Sequence, residues 1–212
     1  FQMSSLASTN AAEVDPQNRL LHRYPARRLD AEAIRDSVLV ASGRFDQTLF
    51  GLSIHPYRAH TNADRRLFLG PLDGQGRRSI YTKVNLMEEP PFLGAFNLAG
   101  GKVTQGRRDV TNVPTQALAM LNDPFVIQQA DFWSERLTEH HGNDSVPARI
   151  RAMFQKAFGR RPSGAEERDF EQLVQELAKL HRVQPEDVLA SRLIWKDISH
   201  VVFNLREFIS IP

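Results

Sequence analysis

The chain contains no cysteine. No disulfide framework, thiolate nucleophile, cysteine-ligated zinc, iron–sulfur cluster or covalently attached haem can therefore be built within it. The expectation is that the chain carries no cofactor of its own. The same absence fits a reducing and an oxidising compartment equally well. An excess of one charge is also lacking. There are 27 basic and 25 acidic residues, for a formal net charge of +2. That balance gives no overall footprint for nucleic acid, and the sequence pI near 9.2 reflects only a small basic excess. No run of about 18 apolar residues occurs, so no membrane-spanning segment is expected. Phe1-Gln2-Met3-Ser4-Ser5 lacks the charged lead and apolar stretch of a secretory leader. A start without methionine reads as a fragment or processed piece of something longer.

Familiar catalytic signatures are missing too. There is no Gly-x-Ser-x-Gly elbow and no Gly-x-x-x-x-Gly-Lys-Ser/Thr loop. Gly70, Gly74 and Gly76 lie close together, but no strand precedes them and no helix follows, as a phosphate cradle requires. His140 and His141 are adjacent, and neighbours on a helix point about 100° apart, so they cannot easily share one ion. His22, His55, His60, His181 and His200 show no zinc spacing. His55 and His60 with Asp64 come nearest to a loop metal site, and ordinary loop polarity explains them as well. No metal is expected.

What is present is an ordinary globular composition, 41% hydrophobic and 25% charged, which predicts a buried core. The fold expected is mainly α: a C-terminal helical bundle, a Pro/Gly-rich irregular excursion, and room for one small β-hairpin. Residues 1–212 read as a single domain. It has a helical start over 1–44, the excursion over 45–111 and the bundle over 112–212.

In the first part, Asp30 is the natural N-cap of a helix, with Leu29 and Ile34 at hydrophobic-staple spacing. Ile34, Val38 and Ala41 form its inner stripe, and Gly43 suits its end. In the excursion, glycines and prolines interrupt every helix. Ser79-Ile80-Tyr81-Thr82-Lys83-Val84 alternates like a strand, and Phe92-Leu93-Gly94-Ala95-Phe96 is a weaker second run. A stretch this long is expected to fold back over the helices.

From Pro114 onward, proline marks helix starts. Pro114 and Pro124 each suit a first helical position, with Asp123 as the cap before the second. Val126, Ala130, Trp133 and Leu137 then share a face. His140 to Asp144 makes a turn. Ser145 opens a helix carrying Val146, Ile150, Met153, Phe154 and Ala157. Ser163 with Glu166 is a capping box before Phe170, Leu173, Val174, Leu177 and Leu180. Gln184-Pro185 is expected to open a last helix with Val188, Leu189, Leu193, Trp195, Ile198, Val202 and Leu205 inward. Being apolar over more than one stripe, it should touch two or more neighbours. About five helices make the bundle.

The densest polar run is Arg107 to Asp123. In one reading Arg107, Arg108, Thr111, Asn112 and Gln116 face a cleft and hold an anionic or polar ligand near a helix N-terminus. In the other, Asn112 and Asp123 are caps, and the arginines pair with carboxylates or cap carbonyls of another helix. Arg77-Arg78, Arg65-Arg66 and Lys83 form a basic stretch near Tyr81 of the kind nucleic-acid binders use. Asp64, Asp73, Glu88 and Glu89 are interleaved with it, so no nucleic acid is expected as a partner.

Seven segments occur in a recognisable order. They are Phe1-Gln2-Met3-Ser4-Ser5, Asp15-Pro16-Gln17-Asn18-Arg19-Leu20-Leu21, and Arg28 through Asp36. Arg78-Ser79-Ile80-Tyr81, the run Thr111 to Asp123, Gly159-Arg160-Arg161-Pro162, and Asn204-Leu205-Arg206-Glu207-Phe208 follow. Together they resemble the PSD-type C-terminal domain of unknown function found in large planctomycete multidomain proteins. The resemblance covers essentially the whole chain. Phe1-Gln2-Met3 departs from the tyrosine that tends to precede Gln-Ser-Ser there, and Ile209-Ser210-Ile211-Pro212 replaces a more aromatic ending. The resemblance implies an extracytoplasmic protein and an upstream portion of the domain beyond Phe1. It also implies other domains of the same polypeptide as partners, often a haem-bearing cytochrome c-like domain. It assigns no catalytic residue.

The first functional expectation is therefore a non-catalytic binding or assembly domain of a cytochrome-linked envelope protein. The alternative is a hydrolase-like domain acting on an extracellular glycan or other anionic polymer. Its site would lie near Arg78, Tyr81, Arg107, Arg108, Thr111, Asn112 and Gln116.

Overall fold

Proline and acidic punctuation do set where most helices begin. The computed structural model describes residues 5, 8–58, 68–86, 89–101, 104, 106–109, 111–140 and 145–211. Among them are eight α-helices: α1 (Thr9–Val14), α2 (Ala31–Ser42), α3 (Pro91–Ala95), α4 (Pro114–Asn122), α5 (Pro124–His140), α6 (Val146–Phe158), α7 (Gly164–His181) and α8 (Arg192–Asn204). Two short strands, β1 (Arg27–Arg28) and β2 (Ser210–Ile211), pair antiparallel. The fold is mainly helical, as expected, and α4 to α8 are the five helices of the predicted bundle. No helix among the described residues is long and apolar enough to cross a membrane.

Local chemistry accounts for the helix ends. Pro114 and Pro124 occupy first helical positions, where a missing N–H costs nothing. Asp123 Oδ1 accepts from Phe125 N at 2.9 Å, the expected cap. Ser163 and Glu166 form both halves of a capping box, and Ser145 accepts from Ala148 N. Asp30 stands at the N-cap position of α2, but its side chain makes no cap bond. Gly43 ends α2 with φ +77°, a left-handed conformation that glycine adopts without the Cβ penalty.

The core lies where α8 crosses α5. Ile194, Trp195, Ile198, Val202 and Phe203 of α8 are fully buried. They meet Val126, Ala130, Trp133 and Leu137 of α5, all on the predicted face. Trp133 and Phe203 stack at 5.3 Å. α8 also packs on α4 and α7, and α2 packs on α5. Ser42 Oγ donates to Gln129 Oε1 at 2.7 Å, tying α2 to α5 inside the core.

Three expectations are corrected. The last helix begins at Arg192, not Pro185; Pro185–Asp187 is a 3-10 turn. The turn lets Val188 O accept Trp195 Nε1 at 3.0 Å, satisfying the buried indole. Leu180 and Leu193 face solvent, because each lies off the buried stripe of its helix. The expected hairpin is not where alternation placed it. Ser79–Tyr81 is a 3-10 turn and the run around Phe92 is α3. The one two-stranded pair described joins residues near the two ends of the chain, with Arg27 opposite Ile211.

The excursion does fold back, and α2 holds it. Buried Arg35 donates to Arg77 O (2.9 Å), Ser79 Oγ (3.1 Å) and Asp73 O (2.8 Å). Asp36 Oδ1 accepts from Ser79 N and Oγ at 2.8 and 2.7 Å. Burial pushes the Arg35 guanidinium below its usual value, and Asp36 and Asp73 oppose that shift. Such charge-assisted bonds tie this part of the excursion to α2.

Candidate functional site

The polar run Arg107 to Asp123 divides between two tasks. Arg108 forks onto Glu32 of α2, with Nη1 to Oε2 at 2.6 Å and Nη2 to Oε1 at 2.8 Å. The guanidinium hydrogen bonds hold the Glu32 carboxyl below its ordinary range. This is the carboxylate pairing expected of one arginine. Arg107 is exposed. Asn112 is not a cap, which corrects one of the two readings. Val113 stands at the N-cap of α4, extended at φ −123° and ψ 149°, because the residue before proline is driven out of the helical region.

Thr111 and Gln116 instead converge on Asn97. Its Oδ1 accepts from Thr111 Oγ1 at 3.0 Å, from Gln116 Nε2 at 3.4 Å and from Arg28 Nη2 at 2.7 Å. Arg28 also donates to Thr111 O and to Phe96 O, and Gln116 Nε2 donates to Thr111 O at 3.0 Å. Asn97 reaches this position with φ +63°, a conformation asparagine tolerates better than most residues. Burial lowers the Arg28 pKa from its usual value, yet an arginine remains charged at any physiological pH.

Arg28, Thr111 and Gln116 of this network line a groove of about 670 Å³ between β1, the start of α4 and the end of α8. Arg27, Arg28 and Arg206 bring positive charge to it, Thr111, Asn112 and Asn204 bring polar groups, and Val113 and Ala117 bring apolar surface. The α4 N-terminus adds its partial positive charge. Among the described residues lining the groove there is no carboxylate, imidazole or lysine. The arrangement can attract and orient an anion. It offers no group that titrates near neutrality to move a proton.

The sequence-predicted residues are thus only partly brought together. Thr111, Asn112 and Gln116 line the groove. Arg78 and Tyr81 lie on the excursion, where Tyr81 Oη accepts from Phe50 N at 2.6 Å and its ring carries Arg77 at 4.2 Å. Arg108 belongs to the ion pair with α2. Arg27, Arg28, Asn97 and Arg206 went unassigned to a site in the sequence. The Arg27-Arg28 doublet was visible there, but nothing local shows that residues 28, 97 and 111 meet.

Among the described residues no group of three or more His, Asp or Glu side chains could hold a metal. His55 packs edge-on against Phe68 at 5.5 Å. His60, Asp64, Arg65, Arg66, Glu88, His141 and the side chain of His140 lie outside the described residues, as does Phe1-Gln2-Met3-Ser4.

No curated protein and no solved structure matches the chain. One protein family does, over residues 1–174. The matched region ends inside α7, while α8 beyond it supplies the centre of the core. With most of its length matched, the chain belongs to PSD1, a family described as protein of unknown function (DUF1553).

Proposed function

We propose that this is a non-catalytic binding or assembly domain whose groove receives an acidic segment of its partner. One observation carries the reading: three arginines line the groove with no carboxylate or imidazole among its described lining residues. Charge complementarity of this kind steers and orients a partner, whereas acid–base chemistry needs a titratable group within reach of the reacting atoms. Nothing in the groove supports the hydrolase alternative. The ordered motifs resembling planctomycete multidomain proteins support a neighbouring domain of the same polypeptide as the partner, a haem-bearing cytochrome c-like domain included. The same resemblance supports an extracytoplasmic setting.

A short poly-aspartate peptide is a suitable probe for calorimetric titration. Binding that weakens with salt, and that Arg27→Glu with Arg206→Glu removes, is the expected result. Both arginines are exposed, so the fold should survive the change. No binding at low salt, or binding unaltered in that variant, would overturn the proposal.

A further inference from the structure

A second surface, separate from the groove, has a different chemistry. Two isolated bridges pin the first loop of the excursion, just after α2, to its later part. Asp46 pairs with Arg77, and Ile54 pairs with Thr82. Asp46 N donates to Gly76 O at 2.8 Å, Ile54 N to Tyr81 O at 2.9 Å, and Lys83 N to Ile54 O at 2.8 Å. Between these anchors the loop turns outward. At its tip Leu49 is 55% exposed, Phe50 79% and Leu52 90%, and Ile80 beside it is 73% exposed.

The tip is built rather than loose. Phe50 N donates to Tyr81 Oη at 2.6 Å, and Phe50 O accepts from Arg77 Nη2 at 2.6 Å. The Arg77 guanidinium lies 4.2 Å over the Tyr81 ring. Phe50 is held at φ +65°, costly for a bulky side chain. A strained residue kept in place by its surroundings points to use. Here the strain displays an aromatic ring to solvent instead of burying it. Apolar clusters presented this way mark interaction surfaces.

The surrounding charge selects the partner. Over the described residues 44–54 and 73–84 there are four cations, Arg44, Arg77, Arg78 and Lys83, and two carboxylates, Asp46 and Asp73. Asp73 is engaged by Arg44 at 3.4 Å, while Arg78 and Lys83 are exposed. Apolar side chains standing beyond a cationic rim fit a lipid interface, with the chains entering the headgroup boundary and the cations meeting anionic lipid. We propose that the Leu49–Leu52 tip seats the domain on an anionic membrane surface. The tip does not span the bilayer; it is a peripheral contact.

Flotation of the 212-residue chain with vesicles of phosphatidylcholine, alone or mixed with phosphatidylglycerol, tests this. The chain is expected to float with the mixed vesicles and much less with the neutral ones. Phe50→Asn with Leu52→Ser removes the apolar tip, and asparagine tolerates the left-handed backbone. Arg78→Glu with Lys83→Glu reverses the rim. Each pair should lower partitioning by roughly tenfold or more. If the tip variant melts early, the rim variant carries the test, because both of its residues are exposed. Equal flotation with neutral vesicles, flotation retained in both variants, or none by the wild-type chain would overturn the proposal. So would self-association that the tip variant abolishes without any vesicle binding, which would assign the tip to a second copy.

Discussion

Replacing Arg160 by alanine should separate a working ion network from a decorative one. The Arg160 guanidinium binds two carboxylates at once. Nε and Nη2 reach Glu207 Oε1 and Oε2 at 2.8 and 2.5 Å, and Nη1 and Nη2 reach Glu166 Oε2 and Oε1 at 2.9 and 2.7 Å. Glu166 is also the capping-box acid of α7, so one side chain joins the end of α6, the start of α7 and the 3-10 turn after α8. The guanidinium further lies 5.5 Å from the Phe154 ring centroid. All three side chains are roughly one-third exposed, so solvent screening limits each bidentate pair to about 1 kcal/mol. The ring contact adds about 0.5 kcal/mol. Arg160→Ala should therefore cost about 2.5 kcal/mol and lower the melting temperature by roughly 5–10 °C for a chain of this size.

The loss should depend on pH. The Arg160 hydrogen bonds, the largest influence, hold the Glu166 carboxyl down at about 2 against an ordinary 4.5. A depressed carboxyl pKa means that the unfolded state binds the proton more tightly. Its stabilisation is complete above the ordinary value and fades as pH falls towards the folded one. Melting curves of both proteins between pH 7 and pH 2.5 would show the gap closing below about pH 4.5. A variant that melts within about 1 °C of the wild type at pH 7, or a gap unchanged at the lowest pH, would refute the reasoning.

Asp123→Ala should cost roughly 0.5–2 kcal/mol through cap loss. Asp123→Asn keeps the cap, and because burial raises the Asp123 pKa, it should be at least as stable as the wild type at neutral pH, where the wild-type charge is penalised; urea unfolding reads both. Trp195 is fully buried, and Trp195→Ala should cost about 3–5 kcal/mol by calorimetry or denaturant unfolding. Arg108→Ala should cost no more than about 1 kcal/mol and leave poly-aspartate binding intact, whereas Arg28→Ala, which removes the Asn97 and Thr111 contacts of the groove wall, should weaken that binding; titration of the two variants side by side distinguishes them.

Helix starts were legible wherever a short-range rule decides them. Ser163 with Glu166, Ser145, and the two prolines at 114 and 124 act within a few residues, so spacing alone reveals them. Asn112 is not the cap because the cap position lies one residue on, at Val113, which proline forces into an extended shape. The alternation at Ser79–Val84 misled for another reason. Its backbone bonds run to the Asp36 carboxylate on α2 and to Ile54 on the loop, not to a neighbouring strand. Of the expected binding residues, Thr111, Asn112 and Gln116 share a wall, Tyr81 and Arg108 are held by other partners, and Arg78 stands exposed on the excursion.

By itself the sequence determined the helical class, the absence of thiol chemistry and the faces that α2, α5 and α6 bury. Each follows from composition or from a period of a few residues. Tertiary structure alone decided which cations, such as Arg108 and Arg35, are spent on scaffolding and which, such as Arg27 and Arg206, stay exposed beside the groove. Arg28 and Thr111 stand 83 positions apart, as the bond between them records, and Arg108 lies 76 from Glu32. Contacts that distant are fixed by how α8 settles on α5 and how the excursion locks to α2, because only packing brings such groups within bonding range.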